Sequence, residues 1–311
     1  MLKKVTHAAA CSSSFGAAAE DLEALAESKV TVKRIERWSE RVGEERVEQS
    51  CQQAEAYQAA PLPERRKSPT GQVPQVACVM MDGGRIQVRD RHAKEQSASG
   101  YWKESLVGCC LSMVSEEHAE DPCPTIPKTF VADGAASNWG VHKKHFSHYT
   151  PVLDFTHAVC YVYAAALAGR SSTNGWGDYI VWAQWLWEGA VDKLIAAVEA
   201  RSKKLGQPPD GDETSPAAIV ARTHGYLKNQ RSRMKYDQYR RLGLPNTSSH
   251  VESTIKQLNR RVKGTEKFWS RGAEPMLQLA ADHLSETNAL ARFWKQRPTR
   301  LKHYRCYQTA V

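Results

Sequence analysis

Three aspartates share one context, an apolar run that stops at the acid. Asp82 follows Val76-Ala77-Cys78-Val79-Met80-Met81, Asp133 follows Thr129-Phe130-Val131-Ala132, and Asp154 follows Pro151-Val152-Leu153. Short continuous apolar runs predict strands covered on both faces, which sets the three carboxylates at strand ends of one sheet. Carboxylates gathered in this way repel one another unless a hard divalent cation neutralises them. Mg²⁺ is the usual occupant, held by one or two carboxylates together with phosphate oxygens. Two such ions about 4 Å apart clamp the attacking and leaving oxygens of an in-line phosphoryl displacement. Asp-Gly also marks ordinary turns. Two Asp-Gly pairs at matching strand ends in a basic chain make the chemical reading as strong as the turn reading.

The elements that must position these acids follow from pattern and punctuation. Residues 1–58 form a helical N-terminal segment: Leu22, Leu25 and Ala26, then Val32, Ile35, Trp38 and Val42 recur at helical spacing over 17–57, with Thr31 as N-cap of one of two or three short helices. Lys33, Arg34, Arg37 and Arg41 line one polar face there, a pattern shared by DNA-recognition helices and by ordinary solvated ones. Prolines make 59–75 a linker. Asp82-Gly83-Gly84 reads as a tight turn, Arg85 to Arg89 as the antiparallel return strand, and Leu106 to Val114 as the third strand of a meander. Helices are expected over Ala135–Phe146 and Thr156–Leu167, which gives an α/β sheet with an antiparallel edge. Long helices follow from Trp176 to about Arg241, then His250–Gly264 and Ala273–Leu290.

Charge and composition bound the partners. The chain has 311 residues and a net charge of +9, a balance that favours a polyanion. Arg222–Arg241 holds seven Lys or Arg against one Asp, with Tyr226, Tyr236 and Tyr239 interleaved, and Lys256–Arg271 holds six against one Glu. Arg231, Arg233, Lys235, Lys256, Arg260, Arg261 and Lys263 are the candidate DNA contacts, because such faces provide most non-specific phosphate affinity. Trp139 and Trp269 can stack on an unpaired base, although large aromatics are more often core. No apolar stretch is long enough to span a membrane, and a cytosolic protein is expected. The eight cysteines show no CxxC pair and read as reduced, structural thiols. The nearest zinc-like spacing, His157 with Cys160, lacks a second pair, so zinc is not expected.

Taken together, VMMDGGRIQVR (79–89), VADGAASNW (131–139), VLDFTHAVCYV (152–162) and HVESTIKQLNRRVKGTEKFWSRGAEPMLQL (250–279) resemble the DDE transposases of bacterial insertion sequences. The likeness is to the Mutator-like branch and, within it, the Kra-type group. The resemblance implies an RNase H-like mixed sheet interrupted by an all-helical insertion, with the catalytic core at 76–170 and 246–290, the insertion at 171–245 and a basic tail at 291–311. It implies that Asp82, Asp133 and Glu252 are catalytic and hold two Mg²⁺ (or Mn²⁺) ions, and that Asp154 and His157 form a supporting motif rather than metal ligands. Spacing alone does not single out Glu252, since a Glu in a first helical turn ordinarily serves the macrodipole. His157, on the first turn of an apolar helix, reads by itself as a structural histidine.

The implied activity is metal-dependent strand cleavage and strand transfer at element ends. The implied partners are terminal inverted repeats and target DNA, bound by a homo-oligomer in the bacterial cytoplasm and nucleoid. The sequence before Asp82 is shorter than members of the group carry. That makes a truncated, non-catalytic DNA-binding derivative the alternative expectation, and a standalone nuclease with the same acids the third.

Overall fold

A computed structural model describes residues 1–67, 76–89, 101–113, 128–262 and 268–297. The chain opens with α1 (Leu2–Cys11), α2 (Phe15–Ala26), α3 (Val32–Ala59) and the single turn α4 (Leu62–Arg65). Then come β1 (Val76–Arg89), β2 (Tyr101–Met113), β3 (Lys128–Ala132), α5 (Ala136–His145), β4 (Thr150–Leu153) and α6 (Phe155–Leu167). A helical block follows: α7 (Ser172–Trp187), α8 (Val191–Leu205), α9 (Pro216–Gln230), a 3₁₀ turn (Arg231–Arg233) and α10 (Tyr236–Arg241). The described chain ends with α11 (Ser249–Val262), β5 (Phe268–Trp269), α12 (Ser270–Leu284) and α13 (Ala289–Gln296). The strand order is β2-β1-β3-β4, with β5 beside the far end of β1. One pair is antiparallel and the others are parallel, so the fold is mixed α/β.

Two compact units divide the chain, the first holding Met1–Lys67 with the described parts of 85–105 and 256–311, the second the described parts of 68–84 and 106–255. In the second unit the sheet is covered on both faces, and the strands read accordingly. Cys78 and Met80 pack with Val131, Val152 and the helices α6 to α11, while Val79, Met81, Phe130 and Ala132 pack against α5 through Trp139, Val141 and Phe146. Period-two alternation therefore sorts one continuous apolar run between two cores.

The first unit is helical. Val5, Ala9, Leu22, Ile35, Val42, Met276, Leu279 and Phe293 form its core, joined by Ile86 and Val88. α3 and α12 cross so closely that a Cβ on Gly43 would fall 2.4 Å from the Pro275 carbonyl oxygen, so only glycine fits there. Beside that crossing Asp282 is buried and accepts two guanidinium hydrogen bonds from Arg46, at 2.6 and 3.0 Å.

Four sequence expectations need correction. Asp82-Gly83-Gly84 is not a turn: β1 runs unbroken through it to Arg89, neither glycine has positive φ, and the partner strand is β2. The stretch between β1 and β2, 90–100, lies outside the described residues. The expected helix Ala273–Leu290 is two helices, broken where Asn288 takes φ of 54°. Within the N-terminal segment the helical spacing read over 17–57 passed over α1, and the third helix is 28 residues long rather than short. α3 stops only at Ala59, one residue before its C-cap and two before Pro61, and Thr31 caps it by position without a side-chain hydrogen bond. Of the thiols, Cys78 is buried, but Cys11, Cys51, Cys110 and Cys160 are exposed; all are unpaired, and Cys123 and Cys306 lie outside the described residues. No described helix is long and apolar enough to cross a membrane.

Candidate active site

Register brings the aspartates together. β1 pairs β3 through Met81↔Ala132, and β3 pairs β4 through Ala132↔Leu153, so the next residues along the three strands are Asp82, Asp133 and Asp154. The Asp154 N–H donates to the Ala132 carbonyl at 2.8 Å, which carries the ladder into this row. Alternation gives Asp82 the same face as Met80, and Asp133 that of Val131, toward the core containing α6 and α11. The carboxyl ends of neighbouring parallel strands are the usual ligand positions of open α/β sheets.

Asp154 is fully buried and its oxygens are committed. It is the N-cap of α6, accepting the His157 N–H on Oδ1 at 2.9 Å, while Oδ2 accepts both the N–H and the hydroxyl of Ser248. Burial alone would raise its pKa, but the hydrogen bonds from His157 and Ser248 outweigh burial and bring it down to about 2. Ser248 in turn accepts the Glu252 N–H at 3.1 Å, so Asp154 fixes the start of the helix that carries Glu252. The His157 Nδ1 lies 3.4 Å from Asp154 Oδ1 without a hydrogen bond, and its pKa is raised by the Asp154 carboxylate, against burial, with Asp133 and Asp82 adding.

Asp82 is in the opposite condition. Among the described residues, its hydrogen-bond donor is the Gly83 N–H, at 2.7 Å. Burial raises its pKa, the Gly83 N–H opposes that, Asp133 and Glu252 raise it further, and His157 lowers it. Asp82, Asp133, Glu252 and His157 thus act on one another electrostatically. Asp133 Oδ1 accepts from the Ala135 N–H and from Asn138 Nδ2, both at 2.9 Å. The helical block holds the Asp133 backbone: Tyr226 Oη donates to the Asp133 carbonyl at 2.8 Å, and Gln230 Nε2 to the Gly134 carbonyl at 3.0 Å. Gly134 has φ of 97°, and a Cβ there would meet Tyr226 Oη at 2.9 Å.

The predicted acids Asp82, Asp133 and Glu252 therefore share one charged neighbourhood with the predicted supporting pair Asp154 and His157. The set whose donor atoms all lie within 4.8 Å of one another in this unit is Asp154, His157 and Glu252, which leaves Asp82 and Asp133 outside it. Asp154 is a poor candidate ligand because it is fully buried and three hydrogen bonds from His157 and Ser248 leave it one acceptor site, on Oδ1 beside the His157 ring. Among the described residues, the oxygen donors most open to a cation belong to Asp82, Asp133 and Glu252, and an all-oxygen set suits a hard ion. Among the described residues, the buried Oδ1 of Asn138 next to Asp133 has no hydrogen-bond partner, a further unused oxygen at this end of the sheet.

The basic stretch 222–241 carries both structural tyrosines and candidate DNA contacts. Tyr236 is fully buried and donates to the Leu153 carbonyl at 3.0 Å, and Tyr239 donates to that of Pro151 at 3.2 Å. With Tyr226 they tie the helical block to the strand ends and are not free to stack on bases. The charge pattern around them hid this role, although their recurrence beside apolar Leu227 and Met234 pointed to a core. Arg231 pairs with Asp192 at 2.6 Å, and Arg233 stands 4.3 Å over the Trp139 ring, occupying the face proposed for a base. Lys235 and Lys256 are exposed. The side chains of Arg260, Arg261 and Trp269, and Lys263 altogether, lie outside the described residues. Sequence reasoning also missed Ser248 and Gln230, polar residues without a motif, and Asn138, which lies within VADGAASNW but was not singled out. Ser248 as the residue before a helix start is the one signal that could have found it. No protein-family model matches the chain, and no curated protein matches it.

Proposed function

We propose that the chain is a DDE-type transposase of the RNase H-like kind, cutting phosphodiester bonds at the ends of its element and joining the freed 3′-OH to target DNA. One observation carries the reading: the shared register of β1, β3 and β4 sets Asp82 and Asp133 side by side, while Asp154 anchors the helix bearing Glu252 through Ser248. Support also comes from the mixed sheet interrupted after α6 by a helical block, and from the net charge of +9.

In this reading Asp82, Asp133 and Glu252 hold two divalent cations. When bound, such ions neutralise phosphate charge and activate the attacking oxygen. The chain's own part is positional. Asn138 and the Ala135 N–H aim Asp133, Tyr226 and Gln230 hold its loop, and Asp154 sets the first turn of α11. Lys235 and Lys256 attract phosphate, and synapsis of two ends calls for a dimer or larger assembly on DNA in the bacterial nucleoid.

The test is nicking of a labelled duplex carrying the element's own terminal sequence, with Mg²⁺ or Mn²⁺, comparing the natural chain with Asp133→Ala. Metal-dependent cleavage that is lost in the variant, with duplex binding kept within a few-fold, is the expected result. A natural chain that binds the duplex and never cuts it overturns the catalytic reading in favour of a non-catalytic DNA-binding derivative.

A further inference from the structure

The first unit carries a second set of donors, of a different chemical kind. His7 and Cys11 stand one turn apart on α1, and His283 stands in the last turn of α12. Cys11 Sγ lies 3.6 Å from His7 Nε2 and 3.2 and 3.7 Å from the two ring nitrogens of His283. One donor atom from each residue can be chosen so that all three lie within 4.8 Å of one another. The imidazole rings meet edge to face, with centroids 5.3 Å apart.

These distances suit one ion. Bonds of about 2.3 Å to sulfur and about 2.0–2.1 Å to nitrogen at the tetrahedral angle separate the ligand atoms by about 3.5 Å. A thiol donates one hydrogen bond, so one imidazole would satisfy it; here two converge on the same sulfur. All three residues are exposed, which leaves a fourth position open to water. Burial and then the charge of Asp21, held by a 2.7 Å hydrogen bond from Ser12 Oγ, raise the Cys11 pKa, so the thiolate forms only as the ion displaces its proton. The thiolate and imidazole donors select a borderline-soft ion over Mg²⁺.

We propose that His7, Cys11 and His283 bind a zinc-class divalent cation, with water as fourth ligand, and that the ion clamps α1 to α12. On binding, the Cys11 thiol releases its proton to solvent and the two imidazoles bind as neutral donors. The expectation from sequence that zinc has no place here looked for two short-spaced ligand pairs. It passed over the single pair His7 and Cys11, whose third partner lies 272 residues beyond Cys11.

The experiment titrates the full chain, stripped with chelator, first with Co²⁺ and then with Zn²⁺. The thiolate-to-cobalt charge-transfer band reports the sulfur ligand, and thermal unfolding reports the clamp. One equivalent of Co²⁺ should give the band, Zn²⁺ should abolish it, and Zn²⁺ should raise Tm. Cys11→Ser should lose the band, and Cys11→Ser and His283→Ala should each lose the Tm rise and weaken zinc affinity by more than about tenfold, a change in the supporting shell alone costing about 10–100-fold. Cys51→Ser, which removes another exposed thiol, should behave as the natural chain. A missing band, a band that survives Cys11→Ser, or a Tm rise shared by every variant overturns the site. None of these readouts depends on DNA cleavage, so this site and the transposase reading stand or fall separately.

Discussion

At the crossing of α3 and α12, the buried Asp282 receives two guanidinium bonds from Arg46, whereas among the described residues the row across β1, β3 and β4 has beside it the His157 imidazole, whose pKa the Asp154 carboxylate raises. The row is itself uneven. Asp154 takes its hydrogen bonds from Ser248 and His157 and stays ionised, while Asp82, with a single backbone donor, is pushed toward its neutral form by burial and by Asp133 and Glu252. Buried charge answered within the protein builds structure. In the proposed reading, charge left unanswered is the place for a cation.

The comparison predicts opposite responses to similar substitutions. Arg46→Ala strands Asp282 and should cost about 3–5 kcal/mol, read by denaturant unfolding. Asp154→Ala leaves the Ser248 N–H and hydroxyl and the α6 cap unsatisfied and should cost about 3 kcal/mol in the same assay. A loss below about 1 kcal/mol in Asp154→Ala would mean that this acid is not structural, and the contrast within the row would fail.

Acid pH gives the next effect. The Asp154 pKa is lower in the folded chain, about 2, than its ordinary value of 3.8, so its stabilisation is fully present above pH 4 and is lost as pH falls through about 2. The difference corresponds to about 2 kcal/mol. It should appear as a steeper acid unfolding profile in the natural chain than in Asp154→Asn.

The smallest effect has the reverse sign. The Asp82 carboxylate is raised in pKa, so its charge is unwelcome in the fold at neutral pH. Asp82→Asn should therefore slightly stabilise the metal-free chain, read by denaturant unfolding, while removing metal-dependent cleavage. A loss of stability in this variant would make Asp82 a structural acid like Asp154.

Much of this was legible in the residues. The runs ending at Asp82, Asp133 and Asp154 marked three strands, and alternation within Cys78–Met81 gives their two faces. The glycine pair 83–84 misled because a turn signal in a strand that continues is indistinguishable by composition. What decides it is the pairing of Val88 with Phe268, a contact remote in sequence. Glu252 was found through resemblance, since its place depends on Asp154 reaching Ser248 across 94 residues. The part of the tyrosines was not legible for the same reason, because their hydroxyls answer carbonyls at strand ends far along the chain.

The central claim is that the open acids of the row hold a hard divalent cation. Its most direct measurement is Mn²⁺ binding by calorimetry to the full chain carrying Cys11→Ser, so that the thiolate site does not contribute, with and without Asp133→Asn. The account predicts binding in the first protein and its loss, by tenfold or more on the scale of about 1.4 kcal/mol per decade, in the second. Equal binding by both, or none by either, would contradict it.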